Sequence, residues 1–200
     1  MSQAPALSRG FLFFYSMSLT QQPQWVAAYT TPRAEKTVTA RIANELQLQA
    51  YLPLHRVLRH WSDRVKSVEV PLIPSYTFIK MREADLWRVR EIKGVCGFVS
   101  FPSTGIAVIP ETDMTNLRRL AESMADVHVH NLNQLRVGAY VRVVEGEFVG
   151  MEGQIVRSEQ DGNFAVEISG LNLFLTVTIQ QELLQPIDPP KSERVGLLYK

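Results

Sequence analysis

The sequence predicts an α+β fold: an antiparallel sheet flanked by helices, followed by a small β-barrel. Three observations predict it. Strand-like runs at 25–30, 76–81 and 95–101 alternate with amphipathic helical patterns, the arrangement of strands and helices packed in layers. The stretch 137–156, VGAYVRVVEGEFVGMEGQIV, alternates, breaks on glycines and alternates again. After it come further strand-like runs, at 164–169, 173–179 and 183–187.

Residues 25–30, WVAAYT, read as the first strand. Pro32 follows, where proline suits the first turn of a helix. Ala34, Val38, Ile42 and Leu46 then recur every four residues over 33–49, an amphipathic helix with a narrow apolar stripe. Pro53 opens the next segment. Residues 54–61 and 65–70 read as a hairpin about Ser62-Asp63, with Arg56, Arg59, His60, Arg64 and Lys66 outward. Pro71 and Pro74 bracket Leu72-Ile73 ahead of the strand at 76–81. A short helix over 83–90 turns Leu86 and Val89 inward, and Gly94 leads into the strand at 95–101. Pro110 opens a second main helix, whose Met114, Leu117, Ala121 and Met124 share one face.

Residues 128–135 show no period and read as a linker. Val141 and Val143 then share the inner face of a strand with Arg142 outside. Gly146, Gly150 and Gly153 supply bends or close approaches that β-branched residues supply at a cost. Phe148, between them, caps the apolar interior.

Composition narrows the function. The chain has 200 residues, 46% hydrophobic and 20% charged, enough for one domain or two small ones. A net charge of +1 argues neither for nor against nucleic acid as a partner. One cysteine, Cys96, excludes an internal disulfide framework, fits a reducing cytoplasm, and reads as a small buried hydrophobe. The apolar run 10–19, GFLFFYSMSL, is too short to span a bilayer and is followed by no A-x-A-like cleavage site. It reads as a frayed leader or as a segment docked on the first domain. No constellation for catalysis stands out, and no cofactor is expected. His128 and His130 lie on one side of the linker without the further ligands a metal needs.

The glycine-broken stretch resembles a KOW motif, carried by Gly146, Phe148, Gly150 and Gly153. Ahead of it come WVAAYTTPRAEK, LPLHRV, PLIPSYTFIKM, IKGVCGFVSF and AVIPETDM, in that order. This series is similar to the NusG family of transcription elongation factors, with an NGN domain before a KOW domain. The resemblance sets a leader at 1–22, an NGN domain at 23–126, a linker at 127–135, an SH3-like KOW barrel at 136–188 and a tail at 189–200. The T-x-P-R-x-E-K opening and the PLIPSY form resemble the specialised, operon-restricted branch of the family, of which RfaH and the UpxY-type capsule-operon antiterminators are examples.

The resemblance implies a cytoplasmic, monomeric antitermination factor with no enzymatic activity. Its NGN domain grips the clamp helices of the large RNA polymerase subunit. Ile73, Pro74 and Tyr76 are the expected contact, with Ser75 where the family usually has glycine, and Trp25 lines the same depression. Trp87 and Arg88 occupy the position that faces the opposite polymerase pincer. Arg33, Lys36, Arg56, Arg59, Arg64 and Lys66, with His60 or Trp61 stacking on a base, are the candidates for contact with non-template DNA or a nascent RNA leader. The KOW partner loop reads Ile168-Ser169-Gly170-Leu171. It lacks the family's aromatic and arginine, which disfavours helicase recruitment and leaves a ribosomal protein as the second partner. The β-branched run 173–179 favours a constitutive barrel. The rival reading is a KOW protein acting on ribosomal RNA, against which the near-neutral charge argues.

Overall fold

The computed structural model describes residues 21–60, 64–102, 105–123, 125–131, 136–157 and 162–189. In chain order these form β1 (Gln24–Thr30), α1 (Glu35–Leu46), β2 (Gln49–Tyr51), β3 (Leu54–His60), β4 (Val65–Pro71) and β5 (Tyr76–Met81). Then come α2 (Leu86–Arg90), β6 (Val95–Phe98), β7 (Ser100–Phe101), β8 (Gly105–Ile106), β9 (Val108–Ile109) and α3 (Glu111–Glu122). The remaining strands are β10 (His128–Asn131), β11 (Arg136–Val143), β12 (Glu152–Arg157), β13 (Gly162–Ile168), β14 (Leu173–Thr178) and β15 (Leu184–Pro186).

Alternation along β1 builds the first half. Val26 and Ala28 point to one face and join Ile79 and Met81 of β5, Val38 and Ile42 of α1 and Val89 of α2 in one apolar cluster. Trp25 and Ala27 point to the other face, into a cluster that holds Phe78 and the α3 residues Met114, Leu117, Leu120 and Ala121. The sheet runs β2-β5-β1-β6, with β9 also on β1, and every pairing is antiparallel. The fold is α+β as the sequence predicts, but helices cover both faces of the sheet, where the sequence pattern suggests one, because both sets of alternating β1 side chains are apolar. β3 and β4 pair as a separate hairpin.

The second half is β-rich: an antiparallel sheet in the order β10-β14-β13-β12-β11-β15. Val141, Val143, Phe148, Phe164, Val166 and Leu175 fill its interior. Gly150 has φ +81° and Gly146 φ +89°, turning the chain between β11 and β12. Gly153 answers a different need, because a Cβ there would lie 2.3 Å from the Ala165 carbonyl oxygen and 2.8 Å from the Phe164 ring.

Four details depart from the sequence reading. α1 starts at Glu35, not at Pro32, because Arg33 sits at φ +67° and interrupts helical geometry. The run 95–101 is split into β6 and β7. The stretch read as a linker contains β10, which pairs with β14 from His128↔Thr176 to Asn131↔Leu173. Cys96 is exposed rather than buried. It is the extra residue of a bulge, since Tyr29 pairs with Gly97 and Thr30 with Val95, and a bulge residue leaves the alternation that would have buried it.

The two halves touch. Arg119 of α3 donates from Nη2 to the carbonyl oxygens of Glu147 (2.8 Å) and Val149 (3.1 Å), in the β11–β12 turn. Gly170, between β13 and β14, fits so closely on β9 that a Cβ would lie 2.7 Å from the Ile109 side chain.

Two substitutions test these packing statements. Ile42→Ala is expected to destabilise the fold by about 2–5 kcal/mol. Gly153→Ala is expected to cost about 1–3 kcal/mol, since its main obstacle is backbone. Denaturant melts check both, and a wild-type midpoint for either variant would contradict the packing described.

Candidate functional site

The end of β1 and the start of β5 carry an aromatic pair. Tyr29 and Tyr76 are cross-strand partners, with ring centroids 4.9 Å apart and planes inclined at 53°. Tyr29 is 39% exposed and Tyr76 is half-buried. Burial first, and then the hydrogen bond to Tyr29, push the Tyr76 hydroxyl well above the usual phenol range, so this ring stays neutral near pH 7. Exposed Pro74 flanks them.

A strained turn holds this pair in place. Ser75 has φ +64°, a left-handed conformation that costs an L-residue about 1–2 kcal/mol. Two hydrogen bonds fix it: Ser75 N donates to Glu35 Oε1 at 2.8 Å, and the Ser75 carbonyl accepts from Thr30 N at 2.9 Å. Glu35 is buried although it carries a carboxyl group. It stands in the first turn of α1, where a negative charge is favoured. Thr39, one turn on, bonds Thr77 at 2.7 Å and ties the same helix to β5.

Two of the residues expected at this surface lie beneath it. Ile73 and Trp25 are each 2% exposed. Trp25 is pinned at its one polar atom, Nε1, which donates to Glu111 Oε2 at 2.9 Å. Lys80 Nζ reaches the same oxygen at 2.9 Å, and the Arg118 guanidinium lies 5.0 Å from the Trp25 ring centre and 5.4 Å from that of Tyr51. The Lys80 hydrogen bond holds the Glu111 carboxyl below its usual value, with Trp25 and Arg118 assisting against desolvation. Desolvation raises the Tyr51 hydroxyl to about 12.

The basic candidates separate into groups. Lys36 Nζ donates to the Glu69 carbonyl at 2.9 Å, and Arg56 Nε lies 3.5 Å from Glu69 Oε1, so α1 and the hairpin meet at one residue. Arg33, Arg64 and Lys66 are exposed. Trp61 and the side chains of Arg59 and His60 lie outside the described residues. Trp87 is 70% exposed on α2. Its neighbour Arg88 is committed to buried Asp85 at 3.3 Å, which Arg82 also approaches at 3.6 Å.

In the second half, Gly146, Phe148 and Gly150 build the β11–β12 turn, with Phe148 buried, and Gly153 lies within β12. Ile168 and Leu171 are buried too, and Gly170 is pressed on β9; the Ser169 side chain lies outside the described residues. His130 Nε2 is 3.1 Å from Thr176 Oγ1, and His128 Nε2 is 3.2 Å from Asp126 Oδ2. Burial and the neighbouring His128 lower the pKa of His130. Among the described residues, no group of three or more His, Cys, Asp or Glu side chains could hold a metal ion. No described helix is long and apolar enough to cross a membrane.

The sequence reading did not single out Tyr29. A signal was present, since Trp25, Ala27 and Tyr29 share a face by alternation and Tyr29 falls where the strand runs out of cover.

The family model described as "Transcription termination factor nusG" matches residues 23–118. No curated protein matches the chain significantly. The solved structure "Domain interaction in Thermotoga maritima NusG" is similar at 21% identity and a TM-score of 0.47, covering 84% of this chain and 98% of that one. The structure of the MjSpt4:Spt5 complex in conformation A is similar at 15% identity and a TM-score of 0.28, covering 82% and 97%. Over residues 23–118 the chain is thus similar to the NusG family of transcription factors.

The turn yields two opposed expectations. Glu35→Ala leaves the Ser75 N–H without its partner and is expected to cost about 1–3 kcal/mol. Ser75→Gly removes the left-handed strain, less glycine's own entropy, and is expected to gain up to about 1 kcal/mol. Thermal unfolding reads both; a lower melting temperature for Ser75→Gly would show that the turn is not strained.

Proposed function

We propose that this chain is a transcription elongation factor that binds RNA polymerase through the Tyr29–Tyr76 surface and promotes processive, antiterminated transcription of particular long operons of the capsule or polysaccharide type. The observation that carries the reading is the half-exposed aromatic pair beside Pro74, held by a buried carboxylate. The clamp helices of the large polymerase subunit offer a helical partner, and helical partners dock on exposed apolar anchors in a groove. Aromatic side chains at the centre of such contacts commonly carry about 2 kcal/mol or more each. Ile73 and Trp25 then act from below, as the packing that sets the height of the rings. Trp87 and Arg88 face the opposite pincer of the polymerase.

The basic residues Arg33, Lys36, Arg56, Arg64 and Lys66 receive the non-template DNA strand, or a nascent RNA leader, by neutralising phosphates. The second half is the KOW domain of the family pattern. Its loop 168–171 lacks the aromatic and arginine expected for helicase recruitment, which supports antitermination and a ribosomal protein as its partner. The factor works by binding, in the cytoplasm, and its family resemblance carries no catalytic residue.

Pull-down of core RNA polymerase tests the reading. Tyr29→Asp and Tyr76→Asp are each expected to weaken binding about tenfold or more, the equivalent of about 1.4 kcal/mol. Retention of wild-type binding by both variants would refute the docking surface. Crosslinking to the non-template strand tests the second contact: Arg56→Ala combined with Arg64→Ala and Lys66→Ala is expected to lower the yield and flatten its salt dependence. An equal yield would remove the nucleic-acid role.

A further inference from the structure

The β3–β4 hairpin leaves one strand edge open beside a cavity. Leu72 N donates to the Pro53 carbonyl at 2.8 Å, which sets the phase of the ladder. Leu54↔Pro71 and Arg56↔Glu69 are then pairs whose backbone groups point away from the partner strand. Glu69 shows this on β4, since its carbonyl accepts from Lys36 Nζ at 2.9 Å. On β3 the corresponding outward N–H and C=O groups belong to Leu54 and Arg56. Among the described residues no strand pairs with β3 on that side. Such an edge is a template for a further strand. Leu54 and Arg56 also line a cavity of about 480 Å³, which the end of α3 closes from the other side with Ala121 and Glu122. Ligand clefts commonly measure about 300–1,000 Å³. The α3 side is shaped in advance: Ser123 Oγ donates to the Leu120 carbonyl at 2.8 Å and accepts from Ala125 N at 3.3 Å, turning the chain after the helix.

We propose that this slot docks a short extended segment of a partner protein, added to β3 as a third strand and carrying Lys or Arg side chains to Glu122 and Asp126. Main-chain hydrogen bonds to Leu54 and Arg56 supply the affinity of such strand addition, and alternate side chains supply its selectivity. Charge selects the occupant. The lining holds one arginine, Arg56, against three carboxylates, Glu69, Glu122 and Asp126, a formal −2 with His55 neutral. Arg56 is paired with Glu69 at 3.5 Å. Glu122 and Asp126 are left, both exposed, at the end of a helix whose C-terminus is itself the negative pole. Asp126 meets His128 at 3.2 Å. Arg119, the basic residue of the last helical turn, is turned to the Glu147 and Val149 carbonyls instead. A nucleic-acid strand would bring its phosphates against these carboxylates and be repelled. Leu54, Val57, Ala121 and Ala125 give the segment apolar surface to cover. The slot uses neither Tyr29 nor Tyr76, so a partner held here and a partner held at the aromatic rim engage different residues.

Amide-resolved NMR titration of the full chain with synthetic peptides decides the matter. The probe is a capped heptapeptide of alternating Val and Lys, with a Val and Glu counterpart and two forms of the Lys peptide N-methylated at every second residue, one in each phase. The Lys peptide is expected to shift the amides of 54–57 and 121–126 saturably, and the Glu peptide to leave them unmoved. One N-methylated form is expected to lose about tenfold or more in affinity, because it cannot donate to the strand edge, while the other keeps its affinity. The combined Glu122→Gln and Asp126→Asn, both at exposed positions, is expected to weaken the Lys peptide about threefold or more and to reduce its salt dependence. The assignment is overturned if the Lys peptide leaves these amides unmoved, if the two N-methylated forms bind equally, or if the charge-neutral variant binds like wild type. It is also overturned if a single-stranded oligonucleotide produces the same shifts, which would make the slot a nucleic-acid site, or if the shifts appear with rising protein concentration alone, which would make it a contact between two copies.

Discussion

Strand β1 is the constraint on which the first half depends. It is bonded on one edge to β5 and on the other to β6 and β9, so its backbone donors and acceptors are met within the sheet. Both its faces are covered, Val26 and Ala28 by α1 and α2, Trp25 and Ala27 by the layer containing α3. Only near Thr30 does this cover fail, and there Tyr29 comes to the surface beside Tyr76. The candidate site is thus the rim of the core. The same alternation that seals Trp25 and Ala27 delivers the third residue of the series to solvent.

Glu35 shows how local strain and global packing meet. A buried carboxylate is costly unless hydrogen-bonded. Here it accepts from Ser75, and that bond in turn holds a residue in a conformation its own preferences oppose. The helix start, the turn and the aromatic pair are therefore one unit. A contact surface built on such a unit is preorganised, which lowers the ordering cost of binding.

Much of the fold was legible because periodicity records burial. The four-residue stripe of α1 and the alternation of Val141 and Val143 both emerge as cores. So does the role of Phe148, since an apolar ring among turn glycines has little reason to face water. What escaped depends on pairing between distant segments. Cys96 leaves its expected face because β1 and β6 are out of step by one residue, and no local pattern records that. β10 has no period of its own and is a strand because β14 offers it an edge. At the candidate site, the sequence singles out Tyr76 and not Tyr29. Ile73 and Trp25 carry the same residue types as surface anchors, and only tertiary packing separates the two cases.

The bulge at Cys96 has a practical side. The chain holds a single thiol, and the irregular pairing of β6 turns it outward on the edge of the sheet. One dye or spin label can therefore be attached by maleimide chemistry to the unaltered protein. A reporter would then stand next to Gly97, the β-partner of Tyr29, so that occupation of the aromatic rim by a large ligand could be followed as a change in the emission or mobility of the label.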